Sequence, residues 1–256
     1  MVIAIAQIYC QDGDHAGNIQ RIEQAIQSAK AQGAVLVLFP ESVLYGWLNP
    51  EAHKKADPIP GPDSDILCNM AKKYQIHLCI GLDEKDGDQL FGSAILIDNQ
   101  GKLLAKHRKI NVLPELMSPP YTAGNTVTCV QTRFGNIGLL VCADSFQEEN
   151  LVALQQLKPD LLLIPYGWAA PEAAWPDHGL ALQKVVQHAA QVVGCPVVGA
   201  DLVGILSNGP WQGQVYGGQS VACNKKGAII ALGKDREPDL LIFTVPVESD
   251  FKTVHI

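Results

Sequence analysis

Short apolar runs rich in β-branched residues alternate with amphipathic stretches along this chain, and that alternation constrains the fold more than any other feature. Val2–Ile8 and Ala34–Phe39 predict buried strands. Between them, apolar residues at helical spacing predict a helix over Asn18–Gln32, with Asn18 as its N-cap. The pattern continues to a strand predicted at Pro196–Ala200, and such an alternation of strands with helices indicates the α/β class.

A second constraint is the internal similarity between two segments, Gly92–Leu104 and Gly218–Ile230. Each predicts a strand, a polar turn that ends on a glycine, and a second strand. Two halves of similar build predict two sheets packed face to face with helices outside them, and a doubly wound open sheet is the alternative architecture. Because no long polar linker divides the halves, residues 1–256 are predicted to form a single domain.

Composition and charge exclude several classes of partner. The formal net charge is −7 and basic residues occur only in short clusters, which argues against binding to nucleic acid. No run of 18 apolar residues is present, and Met1–Ile8 lacks the basic and small-residue features of a signal peptide, so neither a membrane span nor secretion is expected. Seven cysteines at irregular spacing predict no disulfide framework, which favours a reducing, cytoplasmic compartment.

Three different polar residues each end or follow an apolar run that predicts a strand: Glu41, Lys109 and Cys142. Taken singly, the cysteine is equally consistent with core packing, and the glutamate and lysine with solvated loops. Taken together, a thiol, a carboxylate base and a cation are the groups that acyl transfer from an amide requires. No HExxH, CxxC or GxSxG pattern is present, so zinc protease and serine hydrolase chemistry lack their usual residues.

Cys142 ends the strand predicted at Asn136–Cys142, and a helix is predicted from Phe146 to Leu157. A residue at such a strand-to-helix turn lies beside free backbone N–H groups and the positive end of the helix dipole. This position predicts a lowered pKa of the thiol and hydrogen-bond donors for an oxyanion.

Three motifs in this chain resemble the signatures of the nitrilase superfamily, in the same order and at similar separations: Phe39-Pro-Glu41 with Tyr45-Gly46 behind it, His107-Arg-Lys-Ile110, and Val141-Cys-Ala-Asp144. The resemblance covers essentially the whole chain. It implies a four-layer α-β-β-α sandwich, no metal or organic cofactor, and assembly as a homodimer or larger homo-oligomer.

The resemblance also implies roles for individual residues. Glu41 corresponds to the general base, Lys109 to the residue that stabilises the tetrahedral intermediate, and Cys142 to the nucleophile. The backbone N–H of Ala143 would be a second donor to the oxyanion. Many members have a second glutamate between the lysine and the cysteine, and Glu115 is the candidate because it is the only acidic residue in that interval.

The substrate prediction rests on finer features of the same motifs. The Cys-x-Asp form at Asp144 resembles the amidase and carbamoyl-hydrolase branches, which implies a linear amide or an N-carbamoyl compound as the small-molecule substrate. Five aromatic residues fall in segments that could line a pocket, with Tyr121 and Trp168 as the substrate-binding candidates: Trp47, Tyr121, Tyr166, Trp168 and Trp175.

The chain also departs from the superfamily pattern. His107 and Ala143 replace residues that are commonly tyrosine and aromatic, and the Arg-Ala-x-Glu-Asn pattern of the later helix is missing. These departures bear on the substrate and leave the predicted reaction class unchanged. Nitrile hydrolysis, acyl transfer to an amine, and a non-catalytic binding module on the same scaffold stay as alternatives, and the intact trio argues against the last.

Overall fold

The computed structural model describes residues 1–246, so residues 247–256 of the predicted domain lie outside this range. The helices in chain order are α1 (His15–Ala31), α2 (Ala52–Lys55), α3 (Pro62–Tyr74), α4 (Glu148–Gln156) and α5 (Asp177–Val193). Short 3-10 helices occur at Pro114–Leu116, Cys142–Phe146 and Glu172–Ala174. Within residues 1–246, no helix has the length and apolar character that crossing a bilayer requires.

Within the described part of the chain, fifteen strands form two large sheets and one small sheet. In chain order they are β1 (Val2–Gln7), β2 (Leu36–Leu38), β3 (His77–Asp86), β4 (Gln89–Ile97), β5 (Leu103–Arg108), β6 (Thr128–Thr132), β7 (Gly135–Leu139), β8 (Leu161–Pro165), β9 (Ala169–Ala170), β10 (Val197–Ala200), β11 (Val203–Ile205), β12 (Val215–Gly217), β13 (Val221–Cys223), β14 (Ile229–Leu232) and β15 (Asp239–Thr244).

The two large sheets have the same internal plan. Their strand orders are β15-β1-β2-β3-β4-β5 and β14-β13-β10-β8-β7-β6, and the small sheet has the order β11-β12-β9. In the first sheet, β1, β2 and β3 are parallel and are followed by antiparallel β4 and β5. In the second, β7, β8 and β10 are parallel and are followed by antiparallel β13 and β14. The predicted similarity of the two halves is confirmed.

The sheets pack face to face and the helices cover their outer faces. The side chains between the two sheets are apolar and come from both: Ile3, Ile5, Leu36, Leu38, Leu96, Ile137, Leu139, Leu161, Leu163 and Val198. Helices α1 and α3 pack on the outer face of the first sheet, and α4 and α5 on that of the second. Parallel strands buried on both faces must be apolar on both, which is why β1, β2 and β8 are continuous apolar runs. The predicted four-layer α-β-β-α sandwich is confirmed, and the open-sheet alternative is wrong.

The start of α1 differs from the prediction. The helix begins at His15, and the Asp14 side chain caps it by accepting a hydrogen bond from the Gly17 N–H at 3.1 Å. Asn18 is buried inside the first turns and donates to the Leu44 carbonyl at 2.9 Å. The prediction of Asn18 as the N-cap is therefore wrong, because polar residues that precede the apolar periodicity form the first turn.

The strand before Cys142 is also shorter than predicted. Strand β7 ends at Leu139, and Cys142 opens a 3-10 helix that precedes α4. Cys142 has a φ of +46°, which no strand residue can adopt. The chain therefore leaves the sheet before the cysteine and turns sharply at it.

We expect the inter-sheet core to dominate stability. Leu163 lies in the middle of β8 and is completely buried between the sheets, so Leu163→Ala should lower the free energy of unfolding by about 2–5 kcal/mol. Leu157→Ala is the matched control, because that leucine follows α4 and is 46% exposed, and a change within about 0.5 kcal/mol is expected. Urea titration measures both values. Equal losses would contradict this account of the core.

Candidate active site

Glu41 and Lys109 meet where the strands of the first sheet end. Glu41 follows β2 and Lys109 follows β5, and these strands run in the same direction, so their carboxyl ends lie at one edge of the sheet. Lys109 Nζ donates to Glu41 Oε1 at 2.7 Å, and both side chains are buried. The Glu41 N–H donates to the carbonyl of Tyr166, the residue after β8, at 3.1 Å. This bond brings the end of the second sheet to the same place.

Cys142 reaches this place from the second sheet, on a strained backbone. A non-glycine residue at a φ of +46° occupies the left-handed region, which is uncommon and clusters at functional sites. Ser145 Oγ donates to the Cys142 carbonyl at 2.8 Å and shares a 2.9 Å hydrogen bond with Tyr166 Oη, which holds the turn in place. Ala143 is buried in the first turn of this 3-10 helix, where backbone N–H groups lack intrahelical acceptors.

The surroundings of Cys142 keep its thiol protonated at neutral pH. Burial raises the pKa of the thiol far above its ordinary value, and the negative charge of Glu41 raises it further. The Lys109 charge and a hydrogen bond from the Gly167 N–H lower the pKa, but by less. The lowered pKa predicted from the strand-to-helix turn is therefore wrong, since burial outweighs the local dipole. A thiol of this kind needs a base to become a nucleophile.

Glu41 has an oxygen available for that task. Its Oε1 is occupied by Lys109, whereas its Oε2 is buried and has no hydrogen-bond partner within the described residues. Gly167 borders this oxygen, because a Cβ at that position would lie 3.2 Å from Oε2. The missing side chain lets the backbone pass next to the carboxylate.

Lys109 remains an ammonium ion in this setting. Burial by itself lowers its pKa, but the interactions with its neighbours, chiefly the charge and the hydrogen bond of Glu41, outweigh burial and raise the pKa above the ordinary lysine value. The ammonium also lies 5.5 Å from the centroid of the Trp47 ring, which adds a cation–π contact.

Asp144 joins the lysine loop to the cysteine turn. Its Oδ1 accepts hydrogen bonds from the two backbone N–H groups that follow Lys109, at 2.8 and 2.7 Å. Its Oδ2 accepts from the Val141 N–H at 3.1 Å and from His107 Nε2 at 2.8 Å, and the imidazole and carboxylate are completely buried. One carboxylate thus fixes Lys109 and Cys142 relative to each other across the two sheets.

A narrow cavity opens onto the ion pair. Its lining contains Glu41, Lys109 and a wall of mostly apolar residues: Trp47, Leu48, Gly92, Val112, Leu113 and Tyr121. The space open to solvent-sized molecules is about 10 Å³, which is room for about one water molecule. Within residues 1–246, this lining includes no charged side chain besides Glu41 and Lys109.

The structure separates the remaining candidates from one another. Tyr121 lines the cavity, whereas Trp168 follows Gly167 and stacks its ring on His178 at 4.9 Å, beside the site. Glu115 is exposed and borders a different surface depression, so the structure does not bring it to Glu41 and Lys109.

Two buried carboxyl groups near Glu41 were missed by the sequence reasoning. Asp83 and Asp201 are both buried, burial raises the pKa of both, and each interacts with the charge of Glu41. The signal that identified Glu41 was available for them too, because Asp83 follows the apolar run Cys79–Leu82 and Asp201 follows β10.

The fold and these motifs agree with what comparison with other proteins finds. The carbon-nitrogen hydrolase family model matches residues 2–249, so the chain belongs to that family. Among curated relatives, nitrilase 3 of Arabidopsis thaliana is 29% identical over 220 residues, which are 77% of this chain and 60% of the relative. The chloroplastic omega-amidase of the same plant is 33% identical over 154 residues, 54% of this chain and 42% of that protein. The chain thus matches about half of the length of such relatives.

Solved structures give the same fold. An amidase from Nesterenkonia sp. AN1 in complex with butyramide has a TM-score of 0.83 and 24% identity, over 96% of this chain and 91% of that one. Another structure of that enzyme has the acetamide moiety of fluoroacetamide bound covalently to its active-site cysteine, with a TM-score of 0.82, 24% identity, and coverage of 96% and 90%. At this level of identity the likeness establishes the fold.

The role of Asp144 can be tested by removing its charge. Asp144→Asn places an amide N–H₂ against groups that now donate to the carboxylate, so the free energy of unfolding should fall by about 2–4 kcal/mol. Glu148→Gln is the matched control, because Glu148 pairs with His188 at the same 2.8 Å but on the surface, and should change stability by less than about 1 kcal/mol. Thermal and urea unfolding measure both. Similar effects of the two substitutions would refute a special role for the buried carboxylate.

Proposed function

We propose that this protein hydrolyses the C–N bond of a small, uncharged linear amide or N-carbamoyl compound through a thioester on Cys142. The observation that carries the proposal is the buried Glu41–Lys109 pair beside a protonated thiol. A carboxylate with one free oxygen, a fixed ammonium ion and a thiol that requires a base are the parts of a thiol-dependent acyl transfer.

The first half of the reaction forms the thioester. Glu41 Oε2 accepts the thiol proton while Cys142 Sγ attacks the carbonyl carbon, whose oxygen becomes an oxyanion. Glu41 then gives that proton to the departing nitrogen, so the C–N bond breaks and ammonia or an amine leaves. The acyl group remains on the sulfur and Glu41 is again ionised.

The second half releases the acid. Glu41 accepts a proton from water while the water oxygen attacks the thioester carbon, and a second tetrahedral intermediate forms. When it collapses, the C–S bond breaks and the proton returns from Glu41 to the Cys142 sulfur. The sum is amide plus water giving carboxylic acid plus ammonia or amine.

Lys109 and the Ala143 N–H are the donors for the oxyanion. Lys109 enters the reaction charged and held by Glu41, so no side-chain reorganisation is needed when negative charge develops nearby. A single well-placed donor of this kind contributes about 3–4 kcal/mol to the stability of the transition state.

The lining of the cavity favours a substrate that carries no charge. Apart from the catalytic pair, the walls are mostly apolar, and the lining formed by residues 1–246 offers no arginine that could bind a substrate carboxylate. A carboxylate moved from water into such a cavity would lose its hydration without a partner. The butyramide and fluoroacetamide complexes of the similar amidase involve small neutral amides, which agrees with this choice.

The catalytic assignments predict a set of rate defects. Cys142→Ala should abolish turnover, and Glu41→Gln should lower kcat by at least about 100-fold because proton transfer is lost in both halves of the reaction. Lys109→Met should cause a comparable loss, and the double variant should be far from additive if the pair acts as a unit. Steady-state release of ammonia measures each rate.

Two variants serve as controls for these defects. Cys68→Ala removes a half-buried thiol on α3 and should leave kcat unchanged. Glu115→Gln tests the role that the family resemblance implies for this residue, and its exposed position predicts near wild-type activity. Near-normal turnover by Cys142→Ala would refute the mechanism. A large loss of activity in Glu115→Gln would show that Glu115 takes part in the reaction.

A matched substrate panel tests the chemical class. Propionamide and ethylurea should be hydrolysed with a kcat/KM at least about tenfold higher than succinamate, because succinamate adds a carboxylate that the cavity cannot solvate. Propionitrile has the same chain length and reports on the nitrilase alternative that the curated relatives raise. Preference for succinamate would overturn the proposed substrate class, and preference for propionitrile would replace amide by nitrile hydrolysis.

A further inference from the structure

Another carboxyl group, that of Asp83, lies near the catalytic pair, and within the described residues no hydrogen bond joins it to Glu41 or Lys109. Asp83 belongs to β3, is 4% exposed, and is directly opposite Gly92, a cavity residue, in the pairing of β3 with β4. Its Oδ1 accepts hydrogen bonds from Ser42 Oγ at 3.1 Å and from Tyr121 Oη at 2.7 Å. Its Oδ2 is buried and has no hydrogen-bond partner in the part of the chain that the structure describes.

Both hydroxyl groups bound by Asp83 belong to parts of the proposed site. Ser42 directly follows the base Glu41 and has a φ of +47°, so the turn after Glu41 occupies a conformation that needs external support. Tyr121 forms one wall of the cavity and reaches it from the long connection between β5 and β6. The two residues are remote in sequence, and the Asp83 carboxyl group accepts a hydrogen bond from each of them.

We propose that Asp83 is a positioning residue of this site: it joins the turn that carries Glu41 to the cavity wall formed by Tyr121. The proposal rests on the proposed function, because it assigns Tyr121 to the binding of the amide. Asp83 does not touch the reacting atoms. It acts by fixing the position of Glu41 relative to Tyr121.

The charge on Asp83 depends on pH in the range where the enzyme would work. Burial raises its pKa to about 7, the hydrogen bonds from Tyr121 and Ser42 oppose that rise, and the negative charges of Glu41 and Asp63 add to it. The buried Cys10 thiol also faces this group and stays neutral, since burial raises its pKa strongly. Asp83 therefore gains a negative charge as the pH rises through about 7, which strengthens the bonds from both hydroxyl groups.

The substitutions at Asp83 can separate its charge from its hydrogen bonds. Asp83→Asn keeps an oxygen that accepts from Ser42 and Tyr121 and puts the amide nitrogen where Oδ2 has no partner. It should fold normally, keep kcat within about threefold of wild type, and abolish the inflection near pH 7 in kcat/KM. Asp83→Leu removes both accepted bonds and should raise KM by about tenfold or more, because two buried hydroxyl groups lose their acceptor.

Two tyrosine-to-phenylalanine substitutions form a matched pair that tests the role of the cavity wall. Tyr121→Phe removes the hydroxyl that donates to Asp83, and Tyr45→Phe removes one that donates to the buried carboxylate of Asp63 at 3.1 Å. Only Tyr121 lines the cavity, so Tyr121→Phe should raise KM several-fold with little change in kcat, whereas Tyr45→Phe should change neither. Thermal unfolding of both shows whether the loss of a hydroxyl acts through stability alone.

The decisive experiment uses iodoacetamide, a small neutral amide that alkylates thiols. We would measure the second-order rate at which it alkylates Cys142, mapped by mass spectrometry, as a function of pH in wild type, Asp83→Asn, Asp83→Leu, Tyr121→Phe and Tyr45→Phe. This rate depends on the entry of iodoacetamide past Tyr121 and on the transfer of the thiol proton to Glu41. It can be measured even if no amide is hydrolysed. Asp83→Leu and Tyr121→Phe should slow alkylation at least about threefold, and the step near pH 7 expected for wild type should be missing in Asp83→Asn.

The outcomes distinguish the two proposals. If wild type is alkylated at Cys142 with this pH dependence and yet hydrolyses no member of the substrate panel, the proposed function fails and the role of Asp83 stands. If the amides are hydrolysed but Asp83→Asn retains the inflection, or Tyr121→Phe behaves like Tyr45→Phe, the role of Asp83 is refuted and the proposed function stands.

Discussion

The Glu41–Lys109 pair is the interaction around which this site is organised. Two opposite charges 2.7 Å apart are removed from water between the ends of two sheets, and such a pair is stable only if each charge keeps its partner. The lack of a second cation within residues 1–246 explains the raised pKa of two other buried carboxyl groups nearby. Asp83 and Asp201 have no cation of their own within the described residues, and burial raises the pKa of both. The buried ammonium ion of Lys109 is therefore paired with one carboxylate, that of Glu41, which is the proposed base.

The site exists only where the two halves of the sandwich meet. The first half contributes Glu41 and Lys109, and the second contributes Cys142 and Asp144, from strands that are not equivalent in the repeated plan. The halves are joined here by the bond from the Glu41 N–H to the Tyr166 carbonyl, and by the bonds that Asp144 accepts from His107 and from the lysine loop. The repeated plan of the two halves explains the fold. Because the strands that carry the polar residues are not equivalent in the two halves, a carboxylate, an ammonium ion and a thiol meet at one place.

Much of this arrangement could be predicted from the sequence, because it follows from where apolar strands stop. The positions of polar residues at the ends of apolar runs predicted Glu41, Lys109 and Cys142. The repeated strand–turn–strand pattern predicted two packed sheets. Asp83 and Asp201 also follow apolar runs, so this feature alone does not distinguish the proposed base from other buried carboxyl groups. The failures concern properties that local pattern does not determine. The pKa of the Cys142 thiol depends on burial by distant segments, and the exposure of Glu115 depends on the path of a loop whose direction no periodicity indicates.

The protonated state of Cys142 has a consequence for the lifetime of the enzyme. Peroxide and related oxidants attack thiolates far faster than thiols, and the sulfinic and sulfonic acids that result do not revert. A cysteine with a permanently lowered pKa would be open to this damage whenever substrate is absent. Under the proposed mechanism the sulfur becomes a nucleophile only when Glu41 accepts its proton, and burial limits the access of oxidants to it. The same burial that makes the thiol dependent on a base thus protects it from oxidation between turnovers.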